Sequence, residues 1–473
     1  MLGRDPTAPA LRIFMREENL NIAQRLDAFV ASEDLLFYLQ GPPGVGKTKE
    51  SLIWILQSVV QDSKTWAWIP LTKSGGTGVA QKVYLLDRSD TASNSVRFRV
   101  FFTSSLAIDL HDLNVKVAVF DNGNQVNRGP IDDCVSMDLK TITVSSLQMK
   151  FDDSFARQQA YTVNGWKEAE YRDACKDNDF FNSVKATLQT GDFSEEDMND
   201  PNMRDEMVAA KYHLAGGCAR WMFQYSAEQL LSPAGDIQSI DNHLDRVSYN
   251  EIVSGFTGDR GITEVNHLLS RIDGRAVIVS QYVANQLVFR HGEALLRQAL
   301  VLLGDSNPAM DGVLMEMDFI LRLGRSTSEK KVSVDLIMET GADPEPVFQS
   351  GSQKIKFRLS TFATAGFSFV EDDWFIPQIF NNGGFDCVQY RMGKLIYAQI
   401  TRSVTHSFNL KWYQKFRTAF VQKYPELNIS TCEVWFIVQE GLVGTFAPAT
   451  PSNELTGYVK GAYKVAGMRR IKA

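Results

Sequence analysis

Short apolar runs alternate with helical stretches over residues 17–145. Such alternation is typical of a parallel sheet covered by helices, because each strand is buried on both faces and each helix buries one. The sequence therefore predicts an α/β fold for this part of the chain. The predicted strands are 35–39, 66–70, 96–102, 115–120 and 142–145.

The pattern becomes polar and helical over residues 166–231, with an acidic interruption, TGDFSEEDMNDPNMRD, at 190–205. We read this part as a helical subdomain with one long surface loop. A later helix is predicted over 308–323, with Asn307 as N-cap, Pro308 at the first helical position and Gly324 as C-cap. Strands return after it.

Composition describes a globular chain with more than one core. The 473 residues are 44% hydrophobic and carry a net charge of −7, which argues against a protein that coats nucleic acid over its whole surface. The last 73 residues hold ten Lys and Arg against four Asp and Glu, or +6, which leaves −13 for residues 1–400. A local basic face at the C-terminal end is therefore compatible with a DNA partner.

Cysteine usage and hydropathy exclude several classes. The five cysteines show neither CxxC nor Cys/His ligand spacing, so we expect reduced thiols and no structural zinc. No stretch approaches 18 uncharged apolar residues, and the first residues form no apolar signal region. We expect no membrane span and no ordinary signal peptide. The cysteines are Cys134, Cys175, Cys218, Cys387 and Cys432.

A phosphate-loop motif, GPPGVGKT, occupies 41–48 between the apolar run LLFYL and the helical stretch ESLIWILQSVV. It fits GxxxxGK[ST] in the required strand-to-helix context. Gly41, Gly44 and Gly46 let backbone amides curl around a phosphate at a helix N-terminus. Lys47 would hold the β- and γ-phosphates and Thr48 would bind Mg²⁺, so ATP and Mg²⁺ are the predicted cofactors. A plain glycine-rich turn is the alternative.

Hydrolysis of ATP needs a metal-binding acid and a group that orients water. Asp121 ends an apolar strand and suits the first role. The next residue is Asn122, where many such ATPases place a glutamate, and an amide positions water without taking its proton. Ser145 suits a γ-phosphate sensor, or is an ordinary hydroxyl at a strand end. Arg220, after paired glycines, suits a second sensor, or is a surface or core-edge arginine.

Acidic and polar residues of the C-terminal third are arranged as in metal-dependent nucleases. Glu316 on a helix and Asp386 would hold Mg²⁺ against a scissile phosphate, and Gln399 and Thr401 share a strand. The restriction-endonuclease pattern (E/Q)xK here reads QxT. Glu316 lies among apolar residues, so it needs either a solvated face or a partner. His406 suits an acid/base or phosphate contact, although a lone histidine is more often structural.

Basic and aromatic residues interleave just after this strand. Lys411, Lys415 and Arg417 alternate with Trp412 and Phe416. The pattern suits a face that follows a phosphate backbone, and the plain alternative is a solvated helix face.

Five spaced segments carry a resemblance to a known family: GPPGVGKT, KYHLAGGCARWMF, GVLMEMDFILRL, WFIPQIFNNGGFDCV and AQITRSVTHSF. Together they resemble the Crinkler effectors of oomycetes and chytrids and the related retrotransposon hot spot proteins of trypanosomes. This resemblance implies a P-loop ATPase of the AAA/STAND type joined to a restriction-endonuclease-like domain, hence ATP binding and DNA cleavage. Together with the pattern along the chain, it predicts an α/β fold with a P-loop NTPase core at 1–165, a helical subdomain and connector at 166–305, and the nuclease-like domain at 306–473.

By the resemblance, the metal-binding acid of the ATPase falls on Asp121, its arginine on Arg220, and the nuclease acids on Glu316 and Asp386. The family's Q-x-T-then-His pattern matches 399–406. The ubiquitin-like header that usually opens Crinklers is not recognisable ahead of the phosphate loop. Secretion into a host cell, action in its nucleus and host nuclear partners are implied by analogy alone, and the alternative is a non-secreted nuclear protein.

The leading hypothesis is an ATPase that regulates a metal-dependent DNA nuclease. The alternative is a nucleotide-dependent switch whose degenerate nuclease fold binds DNA or protein without cutting. A third reading gives the C-terminal domain a structural role only. AAA-like ATPases often assemble, so an oligomer is open, although no interface signature is readable.

Overall fold

The computed structural model describes residues 14–62, 64–71, 81–88, 96–123, 127–147, 149, 155–190, 193, 195–232, 239–257, 263–272, 275–303, 308–323, 335–337, 354–357, 359–366, 368–377, 384–406, 408–448 and 459–463. The chain divides into two compact units. The first comprises Met1–Val184, Cys218–Arg220 and Arg260–Gly274, and the second comprises Lys185–Gly217, Trp221–Asp259 and Arg275–Ala473. The three-part division expected from the sequence stays a prediction.

The first unit is built on a seven-stranded sheet. Its strands are β1 (Leu36–Gln40), β2 (Thr65–Pro70), β3 (Gln81–Arg88), β4 (Val96–Thr103), β5 (Val115–Gly123), β6 (Lys140–Ser145) and β7 (Gln158–Thr162). The order across the sheet is β4-β3-β2-β5-β6-β1-β7. Neighbouring strands pair in parallel from β2 through β5, β6 and β1 to β7. The strand β3 pairs antiparallel with both β2 and β4. The predicted α/β fold with a mostly parallel sheet is confirmed.

Helices cover both faces of this sheet. In α1 (Glu17–Ala31), Ile22, Leu26 and Phe29 recur at helical spacing and are buried, as the amphipathic pattern requires. They pack with α2 (Lys47–Gln61) on one face of the sheet. The other face is covered by α3 (Leu106–Asp112) and α4 (Gly129–Ser136). Burial on both faces explains why the strand β1 is apolar at nearly every position.

Short helices dominate the middle of the chain. In chain order these are α5 (Glu168–Ala174), α6 (Asn178–Leu188), α7 (Glu195–Asn199), a 3-10 helix (Pro201–Met203), α8 (Arg204–Ala215), α9 (Ala219–Phe223), α10 (Ala227–Leu231), α11 (Ile240–Asp245), α12 (Tyr249–Thr257) and α13 (Thr263–Leu268). The strands β8 (Leu269–Ile272) and β9 (Arg275–Ile278) follow, then α14 (Gln281–Leu303), which is kinked at Gly292.

The second unit contains another seven-stranded sheet. Its elements are α15 (Pro308–Leu323), β10 (Asp335–Ile337), β11 (Lys354–Phe357), a 3-10 helix (Leu359–Thr364), β12 (Trp374–Pro377), β13 (Cys387–Arg391), β14 (Lys394–Thr401), β15 (Thr405–His406), α16 (Leu410–Lys423), β16 (Thr431–Gln439), a 3-10 helix (Glu440–Leu442), β17 (Ala447–Pro448) and β18 (Val459–Tyr463). The order is β10-β18-β16-β14-β13-β12-β11.

Within this sheet, β12, β13 and β14 form an antiparallel meander, and α16 then leads to β16, which is parallel to β14. One face carries an aromatic cluster that includes Phe375, Phe416 and Phe420. The other face packs against α15 through Met315 and Phe319. The unit therefore has two apolar layers of its own.

Some predictions differ from the structure in detail. The run 96–102 belongs to an antiparallel hairpin with β3, which the pattern did not reveal, and β7 was also not predicted. The helix 308–323 has the predicted bounds, whereas the predicted caps Asn307 and Gly324 lie outside the described residues. Among the helices that are described, none is long and apolar enough to span a bilayer.

Candidate functional site

The phosphate loop lies between the end of β1 and the start of α2. Gly44 and Gly46 have φ angles of +78° and +106°, a region that glycine adopts without strain. A Cβ atom on Gly44 would also come within 3 Å of Cys218 Sγ and Arg220 Cβ. The loop therefore needs glycine both for its backbone and because the 218–220 segment packs against it.

Lys47 is held by the loop that it follows. Its Nζ donates hydrogen bonds to the carbonyl oxygens of Gly41, at 2.8 Å, and Pro42, at 2.7 Å. Burial, together with the nearby charge of Arg220, lowers the pKa of Lys47 to about 7. A phosphate beside this amine would favour the charged form of Lys47, and the resulting ion pair would strengthen phosphate binding.

Thr48 and Asp121 lie together beside the loop. Thr48 Oγ1 donates a 2.8 Å hydrogen bond to Asp121 Oδ1, and Asp121 lies near the end of β5. Burial raises the pKa of Asp121, and the Thr48 hydrogen bond and the Lys47 charge oppose this rise. One hydroxyl and one carboxylate are the protein oxygens that Mg²⁺ uses when a nucleotide supplies the rest.

Ser145 ends β6, the strand between β1 and β5. It is paired in register with Gln40 on one side and Gly123 on the other, so it lies at the same sheet edge as the phosphate loop and Asp121. Its hydroxyl is buried and has no hydrogen-bond partner among the described residues. Buried hydroxyls without partners are rare in folded proteins, and a γ-phosphate oxygen is a fitting partner.

Asn122 and Arg220 complete the first site. Asn122 adopts a left-handed φ of 65°, and its amide donates to the carbonyl oxygen of Leu71 at 3.3 Å. Arg220 is exposed and contacts the loop at Gly44. Cys218, whose Sγ lies 3.4 Å from the Pro43 carbonyl oxygen, was not singled out from the sequence, because a lone cysteine carries no motif.

Glu316 and Asp386 form a second candidate site in the second unit. Glu316 is 8% exposed, so it does not lie on a solvated helix face. It accepts hydrogen bonds from the side chains of Gln281 and Asn285, and burial and the charge of Asp386 raise its pKa well above the usual range. Asp386 Oδ2 accepts from the Ile400 amide at 2.5 Å, and burial raises its pKa to about 7.

Gln399 and His406 are joined directly. The buried Gln399 amide donates to His406 Nδ1 at 2.9 Å, and Gln399 Oε1 lies 3.4 Å from the Tyr413 hydroxyl. An amide donor at Nδ1 fixes the imidazole tautomer with its proton on Nε2. Thr401 Oγ1 accepts from the Ser403 amide at 3.0 Å, so this hydroxyl caps a turn.

Two polar residues at the second site carried no motif. Gln281 Oε1 lies 3.3 Å from Nδ1 of His213 in α8, and its amide donates to Glu316. Burial lowers the pKa of His213 to about 4, so the imidazole is neutral near pH 7. His213 stood in the KYHLAGG segment used for the resemblance, whereas Gln281 begins a helix without any distinguishing signal.

Neither site is a closed metal cage. Within the described part of the chain, no three His, Cys, Asp or Glu side chains gather closely enough to hold a metal ion. Mg²⁺ commonly takes one or two carboxylates and completes its shell with water and substrate phosphate. Both sites therefore fit Mg²⁺ that arrives with a phosphate ligand.

The predicted phosphate-following face on α16 is only partly available. Trp412 and Phe416 are 1% and 0% exposed, so these rings belong to the core and cannot stack on bases. Arg417 is exposed, and Lys411 and Lys415 form ion pairs with Asp197. The aromatic half of this prediction is corrected: the spacing reflects a buried helix face.

The chain is similar to known proteins only at the level of distant structural neighbours among those compared. No protein-family model matches the chain, and no curated protein matches it. A STAND ATPase with a tetratricopeptide repeat sensor from Pyrococcus horikoshii is 10% identical, with 67% of this chain and 50% of that chain covered and a TM-score of 0.23. Drosophila ORC bound to DNA is 12% identical, with 69% and 84% covered and a TM-score of 0.26. This chain thus spans half the length of the Pyrococcus protein, and similarities this low carry no argument about function.

Proposed function

We propose that this protein is a Mg²⁺-dependent, ATP-binding P-loop ATPase that regulates a nuclease-like site in its second unit. The observation that carries the first half is the hydrogen bond between Thr48 and Asp121 beside Lys47. These three groups are the minimum that a Mg²⁺-nucleotide needs from a phosphate loop.

Each residue of the first site has a distinct role in this proposal. The loop amides and Lys47 bind the β- and γ-phosphates, and Thr48 and Asp121 bind Mg²⁺. Mg²⁺ held by these two residues would supply positive charge to the phosphates. Ser145 donates its buried hydroxyl to the γ-phosphate, and Arg220 adds positive charge beside the loop. Asn122 orients water without removing its proton, which predicts slow hydrolysis.

The second half of the proposal rests on Glu316 and Asp386. Burial raises the pKa values of both carboxyl groups, and the charge of Asp386 adds to the rise at Glu316. A divalent cation between them would offset both effects. The order of α15, the β12–β14 meander, α16 and β16 supports the likeness to restriction endonucleases. His406, with its tautomer fixed by Gln399, is suited to proton transfer or to a phosphate contact.

Membership of the Crinkler and retrotransposon hot spot family is part of the proposal, on the strength of the sequence segments alone. Delivery into a host cell and action in its nucleus depend on that membership. They need a separate test, such as localisation of the tagged full chain.

The nucleotide half is tested by titrating the full chain with a fluorescent ATP analogue and Mg²⁺. Lys47→Ala should weaken binding by about 30-fold or more, because a partly buried charge partner of the phosphates is lost. Lys49→Ala, an exposed lysine two residues away, is the matched control and should bind like the wild type. Equal affinity of the Lys47 and Lys49 variants would refute the assignment.

A second candidate function is a nucleotide-dependent switch that binds nucleic acid without cutting it. Thr401 favours this alternative, because its hydroxyl supplies no positive charge where the (E/Q)xK pattern has lysine, and it already accepts a hydrogen bond from Ser403. Nucleic-acid binding without strand breaks in Mg²⁺ or Mn²⁺ would support the switch.

A further inference from the structure

An acidic segment contacts the basic face of α16 within the second unit. We define the acidic segment as residues 195–206, which include α7, the 3-10 helix 201–203 and the start of α8. It contains six acidic residues and one arginine. The acidic residues are Glu195, Glu196, Asp197, Asp200, Asp205 and Glu206.

Asp197 bridges two lysines of α16. Its Oδ1 lies 2.6 Å from Lys411 Nζ, and its Oδ2 lies 3.3 Å from Lys415 Nζ. The two lysines are four residues apart and so share one helix face. The Asp197 side chain is only 16% exposed. One anionic group with two oxygens on two lysines is also how a backbone phosphate would be held.

Further contacts hold the segment at the same place. Glu206 Oε1 accepts a 3.0 Å hydrogen bond from Asn409 Nδ2, at the N-cap of α16. Phe193, just before the segment, packs edge-on against Trp412 at a centroid distance of 5.6 Å. The contact with α16 is therefore mixed, with polar bonds at its rim and one aromatic pair.

The ion pairs between Asp197 and the two lysines are weak enough for a DNA phosphate to displace the aspartate. Lys411 and Lys415 are 32% and 31% exposed, and a partly exposed ion pair contributes about fivefold or less to an equilibrium constant. A nucleic acid presents many phosphates and releases counterions when lysines bind it. A long polyanion therefore competes well with a single aspartate.

We propose that the acidic segment covers a binding face for the phosphate backbone of duplex DNA, and that the segment must leave before DNA binds α16. The inference rests on the proposed function, since the nuclease-like site needs a nucleic acid, and it adds a built-in inhibitor. The charge of this region argues for DNA as the ligand. Lys411 and Lys415 already bind an anionic side chain, and the last 73 residues carry a net charge of +6.

The test compares Asp197→Asn with Glu196→Gln in the full chain. Each loses one negative charge from the same segment, but Glu196 is exposed and makes no ion pair with the lysines of α16. Binding of a short fluorescein-labelled DNA duplex is followed by anisotropy at several salt concentrations. Asp197→Asn should bind about fivefold more tightly than the wild type, and Glu196→Gln should change affinity less than twofold.

The salt dependence adds a second readout. Lys411 and Lys415 contact phosphates in the complex of both the wild type and Asp197→Asn, so adding Lys411→Ala and Lys415→Ala to Asp197→Asn should remove the gain in affinity and flatten the slope of log K against log salt by about one to two. If Asp197→Asn and Glu196→Gln have equal affinities, or if removing the two lysines leaves the slope unchanged, the inference is wrong. Asp197→Ser also removes the negative charge but introduces no amide. It should bind DNA as tightly as Asp197→Asn, because loss of the charge is the cause of the gain in affinity.

This outcome is separable from that of the proposed function. If Asp197→Asn binds DNA more tightly but neither it nor the wild type cleaves DNA, the inference is supported and the proposed nuclease activity is refuted. Cleavage by the wild type, with no change of binding or cleavage in Asp197→Asn, keeps the nuclease and removes the inference.

Discussion

The hydroxyl of Thr48 donates a 2.8 Å hydrogen bond to Oδ1 of Asp121, although 73 residues separate the two. The bond joins the start of α2 to the end of β5, and β6 with Ser145 lies between β1 and β5. The sheet thus brings a phosphate loop, a carboxylate and a buried hydroxyl to one edge. Ligands of parallel α/β sheets bind at this carboxyl edge.

Thr48→Ala should remove most of the Mg²⁺-dependent part of nucleotide affinity. Loss of one metal-binding oxygen should weaken binding by about tenfold or more in Mg²⁺, with little change in EDTA. Titration under both conditions measures the difference, with Thr257→Ala, an exposed threonine of α12, as control. A Thr48→Ala protein whose affinity still rises with Mg²⁺ as in the wild type would contradict the assignment.

Ser145→Ala should separate stability from turnover. Removal of a buried hydroxyl without a partner should keep or raise the melting temperature, whereas loss of a donor to the γ-phosphate should slow phosphate release by about tenfold or more. Nucleotide affinity should change little. Ser136→Ala, on the exposed face of α4, is the control, and wild-type turnover in Ser145→Ala would eliminate the sensor role.

The Glu316 and Asp386 pair predicts a pH dependence of stability. Both pKa values are raised in the folded protein, to about 7 for Asp386, while unfolded carboxyls titrate near 4. The folded state therefore binds more protons than the unfolded state between about pH 4 and pH 7. Stability falls as pH rises through this window, unless a divalent cation binds.

Glu316→Gln tests this pair, because it removes one charge and keeps the side-chain shape. In EDTA it should raise the melting temperature at pH 8 by about 2 °C or more and leave it nearly unchanged at pH 5. Mg²⁺ at pH 8 should stabilise the wild type more than the variant. Exposed Glu228→Gln is the matched control. An equal effect of Glu316→Gln at both pH values would show that ionisation of Glu316 does not destabilise the fold.

Gln281 is predicted to position Glu316. Its hydrogen bond lowers the pKa of Glu316 against the effect of burial, so Gln281→Leu should move the pH profile of Mg²⁺-dependent cleavage upward. Gln298→Leu changes an exposed glutamine of the same helix and should leave the profile in place. Reduced activity with an unmoved profile would point to a merely structural role for Gln281.

Sequence reasoning succeeded where the signal is local. The phosphate loop needs a strand, eight motif residues and a helix in direct succession, and all three fall within 36–61. Asp121 was predictable because it directly follows the buried run of β5. The edge strand β7 was missed because its sequence, QQAYT, is polar and only partly buried, so its place depends on backbone pairing with β1.

Contacts between residues far apart in the chain could not be predicted from local sequence patterns. The bond between Asp197 and Lys411 spans 214 residues, and periodicity in either segment gives no hint of the other. The same holds for Gln281, whose side chain donates a hydrogen bond to Glu316 in the largely apolar helix α15. The stripe of Trp412 and Phe416 was misread because helical spacing alone does not distinguish a buried face from a stacking platform.

Cleavage of supercoiled plasmid by the purified full chain, with Mg²⁺ or Mn²⁺ and with or without ATP, tests the central claim most directly. Asp386→Asn is made in parallel, with Glu228→Gln as control. The proposal predicts nicking that needs Asp386 and changes with ATP. Folded, ATP-binding protein that leaves the plasmid intact, or nicks it equally well with Asn at position 386, would contradict it.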